Sequence, residues 1–425
     1  MKKVAIIGAG FTGLSAAYEL SKKGVDVIIF EKEKMLGGLA SGFRKKNWKW
    51  SLDKYYRHIF TSDGVVRNLA DEVGQKINFS RPKSSTYFQD QICQFDSPIS
   101  LLTFSQLSFI DRVRTGIILF YLKLTPFWKL FEKLTAERFI KTSMGSKSWS
   151  ILWEPLFIKK FGKYSSKISA TWFWARIKKR GASLGYPNSG FQKFAQQLEE
   201  SIHKLGGKIH YQSEVQSIKK IGSKFKIKVG GKTHEFDKVI CTTATPIFTK
   251  ITQGLSKKYK KKLSDLKIIG ASNLVLSLNK PFFTNDTYWL NVNEKKCPFV
   301  AIVEHTNFVD KKYYGNEHLL YVGNYLESSH ENFTKSADET FKTYYPYLKK
   351  INKNFNKNWI NDKFLFNDKY AQPIYVTNYF DKILNLKTPI DDLFLANMQM
   401  IYPWDRGVNY AIELGIRIAR LVLQS

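Results

Sequence analysis

The chain has 425 residues, 43% of them hydrophobic and 15% aromatic, which is enough for a sizeable core and excludes a globally disordered protein. Its net charge of +31 favours anionic partners. Lysines supply most of this charge and are spread along the whole chain without a compact nucleic-acid module, so we expect no nucleic-acid partner. Three scattered cysteines without a CxxC pair predict neither a disulfide framework nor a zinc site.

The beginning of the chain, MKKVAIIGAG, does not resemble a secretion signal, because its apolar run is short and ends at glycine. No uninterrupted apolar stretch reaches the roughly 18 residues that a membrane-spanning helix needs. We therefore expect a cytoplasmic protein.

The first elements form one βαβ unit. The short apolar run at 4–8 is typical of a buried parallel strand. Residues 14–23 have the apolar spacing of a helix, which Gly24 ends. The second strand follows at 26–33, and this order of elements is typical of nucleotide-binding folds.

Three glycines between the first strand and the helix, Gly8, Gly10 and Gly13, make a GxGxxG pattern. The first allows a tight turn, the second lets the backbone approach a pyrophosphate, and the third allows close packing of helix on strand. Glu31, at the end of the second strand, is placed to accept hydrogen bonds from an adenosine ribose. Together these residues predict a dinucleotide-binding site.

The segment from Pro98 to Phe139 is strongly apolar and helical in pattern, and Pro126 interrupts it. Basic residues lie among its Leu, Phe and Trp residues. Two interpretations remain open. The helices cover a substrate cavity, or residues 99–131 make a peripheral contact with the inner face of the membrane.

The later elements include a β-meander with a hairpin at Gly230-Gly231, a lysine-rich helix at 256–267, a strand at 392–397 and a final helix at 408–424. The chain thus begins and ends with nucleotide-fold elements. We predict an α/β fold with a discontinuous Rossmann-like FAD/NAD(P)-binding domain and an inserted α+β substrate domain. The predicted binding domain comprises 1–90, 187–245 and 385–425, and the substrate domain 91–186 and 246–384.

Gly37, Gly38 and Leu39 follow Glu31 at a short distance. This spacing resembles the FAD signature of the superfamily of flavin amine oxidases, protoporphyrinogen oxidases and phytoene desaturases. The resemblance implies an FAD cofactor and a backbone cradle at the glycine pair. The family often has an arginine just before the pair, whereas this chain has Leu36 there and Lys32 nearby.

The resemblance extends to later segments. It implies that the backbone of Val215 meets the adenine and that Asn397 touches the ribityl chain. The helix after Gly407, which includes Asn409, is expected to direct its N–H groups at the flavin. Asp405 and Arg406 fit either a structural ion pair or an anion clamp over the flavin.

The run His58-Ile59-Phe60 and the segment 153–162 resemble stretches of UDP-galactopyranose mutases, which implies that His58 faces the flavin. In an extended segment Tyr56 would share that face, while Tyr55 and Arg57 would point the other way. The candidate catalytic residues are therefore His58, Tyr56 and Arg406.

The expected activity is that of an FAD-dependent oxidoreductase in which the substrate delivers a hydride to flavin N5. Similarity to bacterial flavoproteins associated with surface glycans suggests a role in cell-surface glycan or lipid biosynthesis. The substrate is a small molecule, and the charge favours an anion such as a nucleotide sugar or a lipid-linked compound. A non-redox mutase acting on a nucleotide sugar is the alternative, and a scaffold without turnover is a third.

Overall fold

The computed structural model describes residues 2–425. The strands, in chain order, are β1 (Lys3–Ile7), β2 (Asp26–Phe30), β3 (Gly42–Phe43), β4 (Leu52–Asp53), β5 (Ile59–Phe60), β6 (Ile77–Ser80), β7 (Lys83–Phe88), β8 (Gln91–Gln94), β9 (Leu184–Pro187), β10 (Lys208–His210), β11 (Val215–Ile221), β12 (Lys224–Val229), β13 (Lys232–Phe236), β14 (Lys238–Cys241), β15 (Ile268–Leu278), β16 (Thr287–Val292), β17 (Ala301–Glu304), β18 (His318–Leu326), β19 (Ile360–Pro373) and β20 (Leu393–Leu395). The α-helices are α1 (Phe11–Ser21), α2 (Gly64–Glu72), α3 (Pro98–Leu102), α4 (Phe109–Leu124), α5 (Ala136–Ser143), α6 (Ser146–Ser148), α7 (Glu154–Phe161), α8 (Ala170–Lys179), α9 (Gly190–Lys204), α10 (Thr245–Ile251), α11 (Lys257–Asp265), α12 (Ala337–Ile351) and α13 (Val408–Leu423).

A parallel five-stranded sheet has the order β10-β2-β1-β14-β20. Its strands are short apolar runs, as expected for a sheet covered on both faces. Helices α1, α9 and α13 pack on one face. The meander β11-β12-β13 contributes Phe225, Ile227 and Phe236 to the core on the other face, where they meet Ala5 and Ile28. The predicted Rossmann-like unit is confirmed, and it positions the carboxyl ends of β1 and β2 at one edge.

Close approach of α1 to its neighbours depends on two glycines. A Cβ on Gly13 would lie 2.0 Å from the carbonyl oxygen of Gly8, and one on Gly415 would lie 2.0 Å from Ser15 Oγ. Both positions therefore exclude any larger residue. The glycine-rich turn and the last helix are held against α1 in this way.

The second large sheet is mixed and has the order β19-β15-β18-β17-β16-β7-β8, in which only the β7–β16 pair is parallel. Residues of β15 alternate between its faces. Leu274 and Leu276 pack with Tyr344 and Leu348 of α12, whereas Val275 joins the core of the nucleotide-binding unit. The two sheets thus share buried residues. The predicted domain limit at residue 90 falls in the turn between β7 and β8, and the domain division stays a prediction.

Helices α3 to α8 cover one side of the mixed sheet. The predicted apolar segment is helical, and α4 ends at Leu124 because Thr125, which precedes Pro126, is extended. No helix in residues 2–425 combines the length and hydropathy needed to cross a bilayer.

Candidate active site

One cavity of about 1250 Å³ extends from the glycine turn after β1 to the mixed sheet. Ligand pockets commonly measure about 300–1000 Å³, so this cavity has room for a large cofactor and a second molecule. It is lined by all of the predicted site residues except Gly13. These are Gly8, Gly10, Glu31, Lys32, Gly37, Gly38, Leu39, Tyr56, His58, Val215, Asn397, Arg406, Gly407 and Asn409.

Two glycine turns meet at one end of the cavity. Gly8 has φ +104° and Gly37 has φ +107°, which favour glycine. The Gly37 N–H donates to the Ala9 carbonyl at 2.8 Å. A Cβ on Gly38 would lie 3.2 Å from Gly10 Cα, whereas one on Gly10 would have nothing within 4 Å. The turns form a side-chain-free cradle that opens toward the cavity.

Glu31 lies beside this cradle at the end of β2 and is 6% exposed. Its Oε2 accepts from the Ala9 N–H at 2.7 Å, and its Oε1 accepts from the Glu33 N–H at 2.9 Å. These bonds fix the carboxylate, and each oxygen retains capacity to accept from a ribose hydroxyl. Lys32 lies at the rim, where it pairs with Glu33 at 3.4 Å.

The N-terminus of α13 lines the cavity through Gly407 and Asn409. Its first N–H groups are a favourable site for negative charge. The side-chain amides of Asn397 and Asn409, both predicted site residues, also make hydrogen bonds to the backbone of other segments. Asn409 Oδ1 accepts from the Val66 N–H at 3.0 Å, and Asn397 Nδ2 donates to the Thr243 carbonyl at 2.8 Å. The cradle, Glu31 and this helix end fit FAD.

The segment Tyr55–His58 forms a wall of the cavity in irregular, extended backbone. Tyr56 and His58 both pack against Trp289, with ring centroids 4.8 Å and 5.9 Å away. Arg57 also lines the cavity and donates to the Leu39 carbonyl. Because Tyr55, Tyr56, Arg57 and His58 all line the same cavity, the expected alternation stays a prediction. Arg57 ties this wall to the glycine cradle.

Behind that wall lies Asp53, a carboxyl that is 1% exposed and does not line the cavity. Tyr186 donates to its Oδ2 at 2.8 Å. Burial raises the pKa of Asp53 to about 7, against the opposing influence of Arg57 and Tyr186. This carboxyl supports the wall from outside the cavity.

A charged cluster stands at the far end of the cavity, around Asp405. Arg176 Nη1 lies 3.0 Å and Lys160 Nζ lies 3.8 Å from Asp405 Oδ2. The Arg406 side chain does not join this pair. Its Nε donates to Gln372 Oε1 at 2.8 Å and its Nη2 donates to the Tyr325 hydroxyl at 2.6 Å. The suggested Asp405–Arg406 side-chain pair is thus replaced by a bond from the Arg406 backbone N–H to Asp405 Oδ1 at 3.0 Å.

Lys160 is the least exposed cation of this cluster, with 12% of its side chain accessible. Its Nζ lies 4.8 Å from the ring centroid of Trp172 and 5.3 Å from that of Tyr325. Burial lowers the pKa of Lys160 well below its ordinary value; Asp405 opposes this shift, and Arg176 and Arg406 add to it. Lys160 is therefore the cation of the cluster that gives up its proton most readily.

Asp405, by contrast, stays ionised. Burial alone would raise its pKa, but Lys160, Arg176 and Arg406 outweigh burial and hold that pKa well below its usual range. Burial also lowers the pKa of Arg180 to about 10, with a contribution from Arg176. The cluster is a cationic chamber with one fixed counter-charge.

Cationic groups outnumber acidic ones around the whole cavity, with ten basic and seven acidic lining residues. Burial raises the pKa of two of the acids, Asp63 and Asp368. The electrostatics of the cavity thus favour an anionic ligand.

The family described as flavin containing amine oxidoreductase matches residues 11–423. The chain belongs to this family. Its predicted class, a flavin-dependent oxidoreductase, and its predicted cofactor, FAD, are confirmed at this level.

Curated relatives include coproporphyrinogen III oxidase of Staphylococcus aureus, 24% identical over 58% of this chain and 61% of that protein. They also include 4,4′-diapophytoene desaturase of Staphylococcus haemolyticus, 26% identical over 57% of this chain and 55% of that protein. The chain thus spans less than two thirds of the length of these relatives.

Solved structures with the same fold include a reduced UDP-galactopyranose mutase, with TM-score 0.78 and 15% identity over 100% of this chain and 96% of that one. An oxidoreductase from Methanosarcina mazei has TM-score 0.76 and 20% identity over 100% of both chains. These likenesses support the fold.

Several residues of the charged cluster were not predicted, among them Lys160, Arg180, Tyr325 and Gln372. Lys160 lies in the segment 153–162, and the resemblance of that segment to mutases is the only sequence signal that pointed toward it. Tyr325 and Gln372 are on strands of the mixed sheet, and their meeting depends on the tertiary fold.

His58 gives a testable pH effect. Burial lowers its pKa to about 3, with Arg180 and Arg176 adding to the shift. The folded protein then binds fewer protons than the unfolded chain between about pH 6.5 and 3. The contribution of His58 to the free energy of unfolding is therefore fully present above that range and is lost as the pH drops through it. Relative to His58→Gln, the unfolding free energy of the wild type should fall by up to about 1.4 kcal/mol per pH unit.

Urea unfolding of the FAD-loaded proteins from about pH 7 to about pH 5 measures this difference. Parallel stability curves for the wild type and His58→Gln would show that His58 is protonated without penalty in the folded state.

Proposed function

We propose that the protein is an FAD-dependent oxidoreductase that oxidises a small anionic substrate by hydride transfer, with a role in cell-surface glycan or lipid biosynthesis. The observation that carries this proposal is the continuity of the cavity. The glycine cradle and the cationic chamber around Asp405 line a single space. Cofactor and substrate would therefore meet inside one enclosed site.

When bound, FAD would supply the hydride acceptor and a route for the two electrons to an oxidant such as O₂ or a quinone. The chain would supply orientation and proton transfer. Arg176, Arg180 and Arg406 would hold the anionic group of the substrate. Lys160, as the neutral amine, would take the proton that leaves the oxidised O–H or N–H group.

His58 and Tyr56 would shape the opposite wall. The low pKa of His58 keeps it neutral near pH 7, so it would act as a hydrogen-bond donor or acceptor and not as a permanent cation. The contacts of the Tyr56 and His58 rings with Trp289 hold both rings in place. This rigidity favours an orienting role for the wall.

A mutase acting on a nucleotide sugar is the second candidate. The same arginines that suit a carboxylate or phosphate would also suit the diphosphate of such a compound. The two functions differ in their electron requirement. A mutase needs reduced cofactor and consumes no net electrons, whereas the proposed oxidoreductase is reduced by its substrate in every turnover.

Anaerobic spectroscopy separates these functions. The oxidised yellow protein is mixed with nucleotide sugars, porphyrinogens, amines and polyprenyl phosphates. Bleaching of the flavin by one of these, followed by recovery on admitting O₂ or a quinone, is the expected result. Conversion of a nucleotide sugar only after dithionite reduction would establish the mutase, and the absence of any turnover would favour a scaffold. A purified protein that cannot be loaded with FAD would overturn both enzymatic functions.

A further inference from the structure

The exposed large hydrophobic side chains of the protein are concentrated in one segment. Of the seventeen in residues 2–425, ten lie between Ile99 and Leu130. Phe109 is 68% exposed and Phe127 is 67% exposed, whereas exposed apolar residues elsewhere reach at most 48%. Single exposed hydrophobic residues are ordinary, but a contiguous patch marks an interaction surface.

Helix α4 carries the centre of this patch. Ile110, Ile117, Phe120, Tyr121 and Leu124 follow helical spacing along its outer side, and all are exposed. On the inner side, Thr115 and Leu122 are fully buried against the rest of the protein. A helix that is apolar on both sides is normally buried on both sides. The outer apolar face of α4 is therefore built to be covered.

The patch continues into the turn after α4. Leu130 is 63% exposed, and Trp128 packs edge-on against the half-exposed ring of Phe380 at 5.5 Å. Lys129 Nζ lies 5.3 Å from the centre of that ring. Apolar rings bordered by lysine are typical of surfaces that lie at the boundary between lipid headgroups and acyl chains.

The charge of the segment favours an anionic surface as the partner of the patch. In residues 99–133 the basic side chains are Arg112, Arg114, Lys123, Lys129 and Lys133. Of the two acids in this range, Glu132 is buried and accepts a hydrogen bond from Thr171 at 3.1 Å, so only Asp111 opposes the basic residues at the surface. Cations beside an apolar face attract anionic lipid headgroups. The net charge of +31 on the whole chain acts in the same direction.

The patch also adjoins the cavity. Lys178 Nζ donates to the Lys123 and Leu124 carbonyls at 2.9 Å and 2.8 Å, and Lys123 donates to the Arg180 carbonyl. Arg180 lines the cavity. A bilayer that covers α4 would thus lie next to one wall of the site.

We propose that the outer face of α4 and the turn after it, defined by Ile110, Ile117, Phe120, Leu124, Phe127 and Leu130, bind the surface of an anionic lipid bilayer. The 16 residues of α4 are too few to span one, so the helix lies in the plane of the interface. This contact is independent of the reaction that the cavity catalyses.

Co-sedimentation of the FAD-loaded protein with vesicles tests the proposal. The vesicles contain equimolar phosphatidylglycerol and phosphatidylcholine, or phosphatidylcholine alone, at about 0.1 M salt. We expect binding to the anionic vesicles that weakens as salt is added. The double substitution Phe120→Ser and Phe127→Ser should reduce the affinity by roughly tenfold or more.

The matched control is the double substitution Leu205→Ser and Leu423→Ser, which removes exposed apolar residues after α9 and at the end of α13, outside the proposed patch, and should leave binding unchanged. Unchanged flavin absorbance and melting temperature show that both variants are folded. Failure of the wild type to bind anionic vesicles, or equal binding by the Phe120/Phe127 variant, would overturn the proposal. An oligomer in light scattering that this variant dissociates, without vesicle binding, would assign the face to self-association instead.

Discussion

Gly10→Val is expected to give a folded protein that is purified without its yellow cofactor. Gly10 has φ −73° and ψ 171°, which any residue can adopt, and a Cβ there would meet no atom within 4 Å. The valine methyl groups would instead occupy the cradle where the backbone must approach the pyrophosphate. We expect FAD to bind at least about 100-fold more weakly, which corresponds to about 3 kcal/mol.

Flavin absorbance and thermal unfolding measure this effect. Added FAD should raise the melting temperature of the wild-type apoprotein and leave that of Gly10→Val unchanged. Gly64→Val is the control, because Gly64 also has open space around its Cβ position but does not line the cavity. Normal FAD content in Gly10→Val would contradict the proposed position of the cofactor.

Lys160→Met is expected to slow flavin reduction by the substrate by about 10²–10⁴-fold, the usual contribution of a general base. FAD binding should be little changed, because the Lys160 side chain contacts Asp405, Trp172 and Tyr325 and not the glycine turns. Arg176 and the Arg406 N–H would still compensate Asp405. Stopped-flow absorbance with the substrate identified by the anaerobic screen measures the rate.

The neighbouring lysine is the control for this prediction. Lys159 Nζ donates to the Val292 carbonyl at 2.8 Å and does not line the cavity, so Lys159→Met should cost some stability without slowing reduction. The wild-type rate should rise with pH as Lys160 loses its proton, and this dependence should vanish in Lys160→Met. A rate that falls equally in both variants would exclude Lys160 as the base.

The nucleotide-binding unit could be predicted from the sequence because its signals are local. The apolar runs of β1 and β2, the glycine turn between them and Glu31 fall within one βαβ unit. Each signal concerns residues that are neighbours in the chain. The fit of this end of the cavity to a dinucleotide follows directly from them.

The cationic chamber could not be predicted in the same way. Arg176 and Asp405 are 229 residues apart and meet only because α8 and the loop before α13 are brought together. Asp405 and Arg406 are neighbours in sequence, yet consecutive side chains in non-helical backbone point to different sides. Their side chains therefore find separate partners.

For the apolar segment around α4, the sequence could not decide between two interpretations. Its sequence is compatible with a helix covering a cavity and with a helix at a membrane, because both need apolar residues at helical spacing. The structure adds the observation that the inner side of α4 is already occupied by the protein while Phe120 on its outer side is 66% exposed. Only the three-dimensional environment separates the two sides.

The mixed sheet has a mechanical consequence. It takes β7 and β8 from the early part of the chain and β15 to β19 from the late part, and its residues Val275, Val303 and Tyr321 belong to the same core as β1 and α1. A hinged opening of this sheet away from the nucleotide-binding unit would have to break that core and strain several chain connections at once. We therefore expect ligands to exchange through small movements at the cavity mouth, without a hinged opening of the site.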